Sequence, residues 1–176
     1  VGGGVRSIED TKMVLRAGAD KIAINTAIIN NPQLITDVAN AFGSQCMVVS
    51  MEVQKKNDGS YECYTDCGRT PTGINPVQWS KEVVKRGAGE ILLTSINQDG
   101  TFCGPDIELI RLIALKVSIP VIASGGIGTP KHVYQAIVEG GASAVASAAM
   151  FHFKRYSISE VKKYLASKDI PIRKIR

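Results

Sequence analysis

Two segments of the chain, about 122 residues apart, repeat the same pattern. Gly3-Gly4-Val5 matches Gly125-Gly126-Ile127, and residues 17–23 match residues 140–146 with one extra residue in the second copy. Few folds return to the same local geometry so far along the chain. A (β/α)8 barrel built from two four-unit halves does so, whereas a doubly wound open sheet does not do so naturally. The repeat therefore favours a barrel.

Short apolar runs alternate with longer amphipathic segments, which is typical of βαβ units and a parallel sheet. The pattern predicts strands at residues 22–24, 47–53, 90–94, 120–123 and 144–148, with Val1 ending a sixth. It predicts helices at residues 7–17, 32–42, 76–86, 107–116, 131–139 and 158–167, and a hairpin arm at 61–65. Ser7 is a plausible N-cap of the first helix, with Asp10 completing a capping-box-like pattern. The predicted fold class is α/β.

The number of predicted units is smaller than a whole barrel requires. Such barrels typically need ~250 residues, and this chain has 176 and does not begin with Met. We therefore expect residues 1–176 to form a single domain that contains about six βα units, the third to the eighth, of a (β/α)8 TIM barrel. The first two units are expected to be missing from it.

Composition excludes several classes of protein. The chain is 44% hydrophobic with a formal net charge of +5, which is not the composition of a disordered protein. It has no apolar run long enough to predict a membrane-spanning helix. The basic residues are spread out, and the densest stretch, Arg173, Lys174 and Arg176, lacks interleaved aromatics, so no nucleic-acid partner is expected. A modest positive surplus suits an anionic small substrate.

The four cysteines do not form a recognisable metal site. Cys63 and Cys67 are separated by three residues rather than by a usual zinc spacing, and neither Cys46 nor Cys103 supplies a second pair. We expect reduced thiols in a cytoplasmic protein, with no bound metal.

Glycines at the ends of two strands suggest phosphate binding. Residues 2–4 (GGG) and 124–126 (SGG) each end a strand and precede a helix, where backbone N–H groups can approach an anion. In the first copy the next strand ends in Asn25 and Thr26, which are further donors. The matching position in the second copy is Ala149, which has no hydroxyl. Two such sites predict a substrate with two phosphates; the alternative is that the glycines only make tight turns.

Two carboxylates are candidates for proton transfer, which requires a titratable group held near the reacting atom. Glu52 closes the strand at 47–53, and Asp99 follows the strand at 90–94. The alternatives are a surface charge for Glu52 and a turn-forming Asp before Gly100 for Asp99. His132 is interpreted as a helix-face residue and His152 as a partly buried structural one.

Several motifs together resemble the cyclase subunit of imidazole glycerol phosphate synthase. They are residues 1–4 (VGGG), 18–26 (GADKIAINT), 42–45 (FGSQ), 86–95 (RGAGEILLTS), 99–101 (DGT), 123–126 (ASGG) and 151–153 (FHF). The resemblance covers essentially the whole chain. It implies a (β/α)8 barrel lyase of histidine biosynthesis that takes ammonia from a glutaminase partner in a heterodimer. The implied reaction cleaves and cyclises a bis-phosphorylated ribulosyl formimino carboxamide nucleotide, giving imidazole glycerol phosphate and aminoimidazole carboxamide ribotide, without a metal or organic cofactor.

The same resemblance implies roles for individual residues. Glu52 takes the position of a catalytic carboxylate, and Lys21 and Glu90 take half of a charged ring where ammonia enters. One phosphate site comprises Gly4, Asn25 and Thr26. The region of the other comprises Asp99, Gly100, Ser124, Gly125, Gly126 and Ala148.

The chain departs from the family pattern at three points. The family's catalytic pair is two Asp residues; one is absent from this chain, and the other is replaced by Glu52, which is longer by one methylene. Ala149 stands where the family has a phosphate-binding Ser. Two alternatives follow: a cyclase-like partner of an amidotransferase that amidinates surface-polysaccharide sugars, and a non-catalytic barrel that activates the glutaminase. If the protein is the cyclase, residues 1–176 alone are expected to be inactive.

Overall fold

A computed structural model of the chain describes residues 1–173; Lys174 and Arg176 of the basic C-terminal stretch lie outside the described residues. The strands are β1 Ile22–Ile24, β2 Met47–Lys55, β3 Tyr61–Thr65, β4 Thr70–Pro71, β5 Glu90–Ser95, β6 Val121–Ser124 and β7 Ala144–Val145. The helices are α1 Ile8–Arg16, α2 Thr26–Asn30, α3 Gln33–Phe42, α4 Pro76–Lys85, α5 Ile107–Ala114, α6 Pro130–Val138, α7 Ala149–His152 and α8 Ile158–Ala166, with a 3₁₀ turn at Ser44–Cys46. No helix in this part of the chain has the length and apolar character needed to cross a bilayer.

The parallel strands lie side by side in the order in which they occur in the chain. β1 pairs with β2, β2 with β5, β5 with β6, and β6 with β7, all in parallel. Before β1, Gly2 forms a parallel bridge to Ala23, and the Ala23 N–H donates to the Val1 carbonyl at 2.8 Å. Successive parallel neighbours joined by helices are the arrangement of a (β/α)8 barrel, so the predicted fold class is confirmed, with part of the barrel present.

The two faces of this sheet differ in burial. Alternate residues of β2, β5 and β6, among them Met51, Leu93 and Ala123, are fully buried beneath the helices. Their neighbours on the opposite face, including Glu52, Thr94 and Ser124, are only half-buried. We call this second face the inner face, because it corresponds to the interior of the barrel. The period of two follows from the pleat of the strand.

The internal repeat is present in the backbone. Gly3 and Gly4 have φ values of 91° and 78°, and Gly125 and Gly126 have 99° and 78°. Both pairs thus occupy the left-handed region, which favours glycine. Two residues after each repeated segment, a hydroxyl side chain caps a helix: Ser7 accepts from the Asp10 N–H and Thr129 from the His132 N–H. The sequence repeat therefore marks a structural repeat.

Some predicted elements differ from the structure. β2 continues two residues beyond 53, to Lys55, because its last four residues pair with β3 in an antiparallel hairpin. Glu52 therefore lies within a strand rather than at its end. β7 is shorter than the predicted 144–148, since residues after Val145 turn toward α7. The sequence analysis missed the short helices α2 and α7, which follow β1 and β7 at matching places in the repeat, and it missed the two-residue strand β4.

Candidate functional site

Three polar side chains form a row across the inner face. In the strand register Glu52 lies opposite Thr94, and Thr94 lies opposite Ser124. Paired residues of neighbouring strands point to the same side of a sheet. The row therefore places a carboxylate and two hydroxyls together near the carboxyl ends of β2, β5 and β6. Carboxyl ends of parallel strands are where barrels bind their ligands.

The Glu52 carboxylate has an oxygen without a partner. Its Oε2 atom is buried and accepts no hydrogen bond from residues 1–173. Buried acceptors are normally satisfied, because desolvating one without a partner costs about 1–3 kcal/mol. An unpartnered carboxylate oxygen on the inner face is available to take a proton or to receive a hydrogen bond from a ligand.

Thr94 is a site residue that the sequence analysis did not select. It precedes Ser95 at the end of β5 and looks in the sequence like an ordinary strand residue. The available signal was its alternation: with Ile91 and Leu93 in the core, Thr94 had to face the other side. Only the register with β2 and β6 places it between Glu52 and Ser124.

Ser124, at one end of this row, lines a cavity of about 240 Å³. Its walls contain all six residues predicted for the second phosphate site: Asp99, Gly100, Ser124, Gly125, Gly126 and Ala148. The remaining walls are formed by Phe102, Ile127, Ala146, Ser147 and Ala149. The lining thus comes from the segments after β5, β6 and β7. The structure brings the predicted residues of this region together around one space, and the methyl group of Ala149 faces it where the repeat has a hydroxyl at Thr26.

Glycine is required by packing at two positions of this cavity. A Cβ atom on Gly126 would lie 2.0 Å from the Gly104 carbonyl oxygen, and one on Gly125 would lie 2.6 Å from the Ser95 carbonyl oxygen. The Gly104 N–H donates to the Gly126 carbonyl at 2.9 Å and holds the two loops together. A side chain at Gly126 would push the β5–α5 loop away from β6, and one at Gly125 would collide with the last residue of β5; either would deform the cavity.

The predicted first phosphate site has a different environment. Asn25 Nδ2 donates to the Tyr64 carbonyl at 3.0 Å. The Thr26 hydroxyl accepts from the Asp66 N–H at 3.2 Å and lies 3.5 Å from the Asp66 carboxylate. Gly4 is exposed, with open space where a side chain would be. In this conformation the hairpin that carries Asp66 occupies the Thr26 hydroxyl, and phosphate binding by Gly4, Asn25 and Thr26 stays a prediction.

The predicted charged pair lies at the other end of the sheet. Lys21 Nζ forms an ion pair with the Glu90 carboxylate, and the two side chains are 45% and 19% exposed. Lys21 precedes β1 and Glu90 begins β5, so both lie at the amino ends of the strands, on the inner face. The pair is therefore separated from Glu52 by the length of the strands.

A polar cluster connects the hairpin to the start of α5. The Tyr61 hydroxyl donates to the Asp106 carboxylate at 3.1 Å, and Asp106 caps α5 by accepting from the Leu109 N–H at 2.9 Å. Burial, reinforced by the Asp106 charge, raises the pKa of Tyr61 to about 12. Lys55 Nζ bonds to Glu108 Oε2 at 2.6 Å beside the same ring. The cluster holds the segment after Glu52 against the segment that closes one side of the cavity.

The remaining candidate groups are placed outside the site. All four cysteines are free, and residues 1–173 contain no cluster of His, Cys, Asp and Glu suited to a metal ion.

His132 lies in the first turn of α6, where its Nδ1 accepts from the Gly128 N–H at 3.2 Å and burial lowers its pKa. His152 was expected to be partly buried, but it is exposed at the end of α7, where its ring packs edge-on against Phe153.

The comparison with known protein families agrees with this geometry. The family described as histidine biosynthesis protein matches residues 1–157, which leaves only the last helix and the C-terminus unmatched. The matched span contains every strand, the row on the inner face, the cavity and the Lys21–Glu90 pair. This chain belongs to the histidine biosynthesis protein family, whose fold is a TIM barrel.

Proposed function

We propose that the chain is the larger part of the cyclase subunit of imidazole glycerol phosphate synthase. The observation that carries the proposal is the position of Glu52, a carboxylate with an unpartnered buried oxygen. It lies in one row with two hydroxyls, and the last of these, Ser124, lines a cavity whose walls bear two strand-end glycines. General acid–base catalysis requires such a held carboxylate. The assignment to the cyclase, rather than to another enzyme of the family, rests on the motifs quoted in the sequence analysis.

In this proposal Glu52 moves the proton during cyclisation. Ammonia adds to the bis-phosphorylated substrate near the inner face, and the Glu52 oxygen that has no protein partner accepts a proton from the resulting intermediate and later returns one to the leaving group. Thr94 and Ser124 flank the carboxylate and orient the polar groups of the substrate between them. One phosphate of the substrate lies in the cavity, against the backbone of Gly125 and Gly126.

The second phosphate is proposed to bind near Gly4, Asn25 and Thr26. In the described conformation the Asp66 carboxylate lies beside the Thr26 hydroxyl. Two anions repel each other, at about 4 kcal/mol for unit charges 4 Å apart near a protein surface. Substrate binding at this site therefore requires the tip of the β3–β4 hairpin to move away from Thr26.

Ammonia is proposed to enter from a glutaminase partner through the end of the barrel where Lys21 pairs with Glu90. The charged pair would have to separate or shift to admit a neutral molecule to the inner face. On this route Lys21 and Glu90 act in the delivery of ammonia and not in the chemical step. The heterodimer with a glutaminase is part of the proposal.

The domain arrangement is also part of the proposal. The described sheet has one edge at Gly2 and the other at β7, and its inner face is half-exposed. Unpaired strand edges favour association with other strands. We propose that two further βα units pair with these edges in the working protein and cover the inner face.

The experiment is a turnover measurement with the complete barrel, its glutaminase, and either glutamine or an ammonium salt. Glu52→Gln keeps the shape of the side chain and removes its acid–base function, so imidazole glycerol phosphate formation should fall by about 10²–10⁴-fold. Glu139→Gln, an exposed carboxylate at the end of α6, is the matched control and should retain the wild-type rate. Wild-type turnover by the Glu52→Gln protein would overturn the proposal.

A second candidate is the amidotransferase partner that acts on surface-polysaccharide sugars. It is favoured by two features of the site, the longer carboxylate at Glu52 and the methyl group of Ala149 in the cavity wall. Both alter the space for the family's nucleotide substrate. If this candidate is correct, the complete protein with its amidotransferase should transfer nitrogen to a sugar acceptor and leave the ribulosyl nucleotide unchanged.

A further inference from the structure

An aromatic and basic cluster adjoins the cavity that Ser124 lines; its members Phe153 and Arg155 are exposed, and Phe102 is partly buried. Phe102, from the β5–α5 loop, lines the cavity. The guanidinium carbon of Arg155 lies 3.8 Å from the centre of the Phe102 ring. On the same ring packs Phe153, with the two centroids 6.2 Å apart. Arg155 and Phe153 follow α7, so the cluster joins the segment after β5 to the segment after β7.

Both the backbone and the side chain of Arg155 are held in place by contacts. Its backbone N–H donates to the Met150 carbonyl at 3.1 Å, which ties it to α7 just after the cavity-lining Ala149. Its side chain is held by the stack on Phe102. An arginine stacked in this way uses the face of its guanidinium and leaves the N–H groups along its edge for planar, two-pronged bonds to an anion.

The charge of Arg155 is not neutralised by the protein. Within residues 1–173, Arg155 has no carboxylate oxygen within 4.0 Å. The cavity itself contains one charged side chain, that of Asp99, which repels anions. A phosphate in this cavity would therefore have backbone donors on one side and no cation unless Arg155 supplies it.

We propose that Arg155 binds the phosphate ester of the ligand in the cavity, with Phe102 holding its guanidinium in place. The inference deepens the proposed function, because it names the cation of one phosphate site, but it does not depend on the chemistry at Glu52. Arg155 is a binding residue that determines specificity for a phosphate over a neutral group. Its planar edge suits the oxygens of a phosphate better than a lysine ammonium would.

The test uses inorganic phosphate as the probe and the full chain. Phosphate is titrated while the amide signals of Gly125 and Gly126 are followed by NMR, since these report on the cavity, and the Thr26 amide reports separately on the other predicted site. The variants are Arg155→Gln, Arg155→Lys and Phe102→Leu. Lys154→Gln is the matched control, because it removes the same charge one residue away. Circular dichroism confirms that each variant is folded.

Arg155→Gln should raise the phosphate Kd measured at Gly125 and Gly126 at least tenfold, because a charge-assisted hydrogen bond is lost. Arg155→Lys and Phe102→Leu should each raise it severalfold, and Lys154→Gln by less than twofold. No shift of the two glycine amides with phosphate, an unchanged Kd for Arg155→Gln, or equal losses for Arg155→Gln and Lys154→Gln would each overturn the inference. Wild-type turnover by the Glu52→Gln protein, together with these phosphate results, would overturn the proposed function and leave this inference standing.

Discussion

Lys21 pairs with Glu90 across the amino end of β2, the strand that separates β1 from β5. Lys21 precedes β1 and Glu90 begins β5, and β2 lies between these strands with Val48 opposite both Ala23 and Glu90. The ion pair therefore spans the inner face over the Val48 side chain. It closes part of the entrance through which we propose that ammonia reaches Glu52.

Replacing Lys21 should reduce the supply of ammonia from glutamine more than it affects the chemical step. Lys21→Met removes the ammonium but keeps much of the apolar stem, so turnover with glutamine should fall more than turnover with added ammonium salt. The matched control is Lys12→Met, on the exposed side of α1, which should affect neither. Equal losses in the two assays would show that the pair has only a structural role.

Shortening Glu52 tests how the site is built around it. Glu52→Asp shifts the carboxylate by about one methylene, and a misplacement of about 1 Å can cost ~10²-fold in rate. If the site serves the nucleotide substrate of the family, Glu52→Asp should retain or improve kcat on that substrate. A large loss of kcat on a sugar acceptor, with none of the nucleotide reaction, would instead support the second candidate function.

Asp66 should compete with phosphate for Thr26. Asp66→Asn removes the negative charge but keeps the side-chain shape, so phosphate affinity measured at the Thr26 amide should increase severalfold. Thr26→Ala should weaken it, at a cost of roughly 1–3 kcal/mol for a hydrogen bond to a charged group. If neither Asp66→Asn nor Asp66→Ala binds phosphate more tightly than the wild-type protein does, Asp66 does not compete with phosphate for Thr26.

The cysteines should divide into two classes of reactivity. Cys67 and Cys103 are exposed, whereas Cys46 and Cys63 are buried. Burial raises the pKa of the Cys63 thiol to about 12, which suppresses the reactive thiolate. A disulfide-exchange reagent should label two thiols quickly in the folded protein and four in denaturant. A Cys67→Ser, Cys103→Ser double variant should lose the fast phase; a fast phase that remains would contradict the assignment.

Alkaline pH should destabilise the fold through Tyr61. The pKa of Tyr61 is raised from 10.0 to about 12 by burial and by Asp106, so the unfolded chain loses this proton before the folded one does. The contribution is present below pH 10 and is lost as pH rises toward 12, by at most about 3 kcal/mol. Cys63 adds a loss of the same sign from about pH 9.

Denaturant unfolding at pH 9 to 12 measures this effect. Tyr61→Phe should make the free energy of unfolding fall less steeply between pH 10 and 12, whatever its level at neutral pH. Tyr134→Phe, at a tyrosine that is only partly buried, is the control and should leave the slope unchanged. The same slope in the wild-type protein and Tyr61→Phe would show that the phenol does not titrate differently on folding.

The order and type of the main elements could be predicted from the sequence, because they depend on local periodicity and capping. The strand at 22–24 and the hairpin arm at 61–65 were predicted with the observed bounds, and the helices agree to within about two residues. The Gly-Gly pairs that repeat about 122 residues apart predicted the barrel, and their φ values of 78° to 99° show that the repeat extends to the backbone. Glu52 was selected because a carboxylate near the end of a strand is locally visible.

The arrangement of the site was decided by contacts between segments that are far apart in the chain. Thr94 becomes a neighbour of Glu52 only through the pairing of β2 with β5. Arg155 reaches Phe102 only because the segment after α7 packs against the β5–α5 loop. The Asp66 contact that occupies Thr26 joins residues 40 positions apart. Local periodicity determines which face a side chain takes, but strand register and loop packing determine which side chains meet, because these depend on the burial of the whole core.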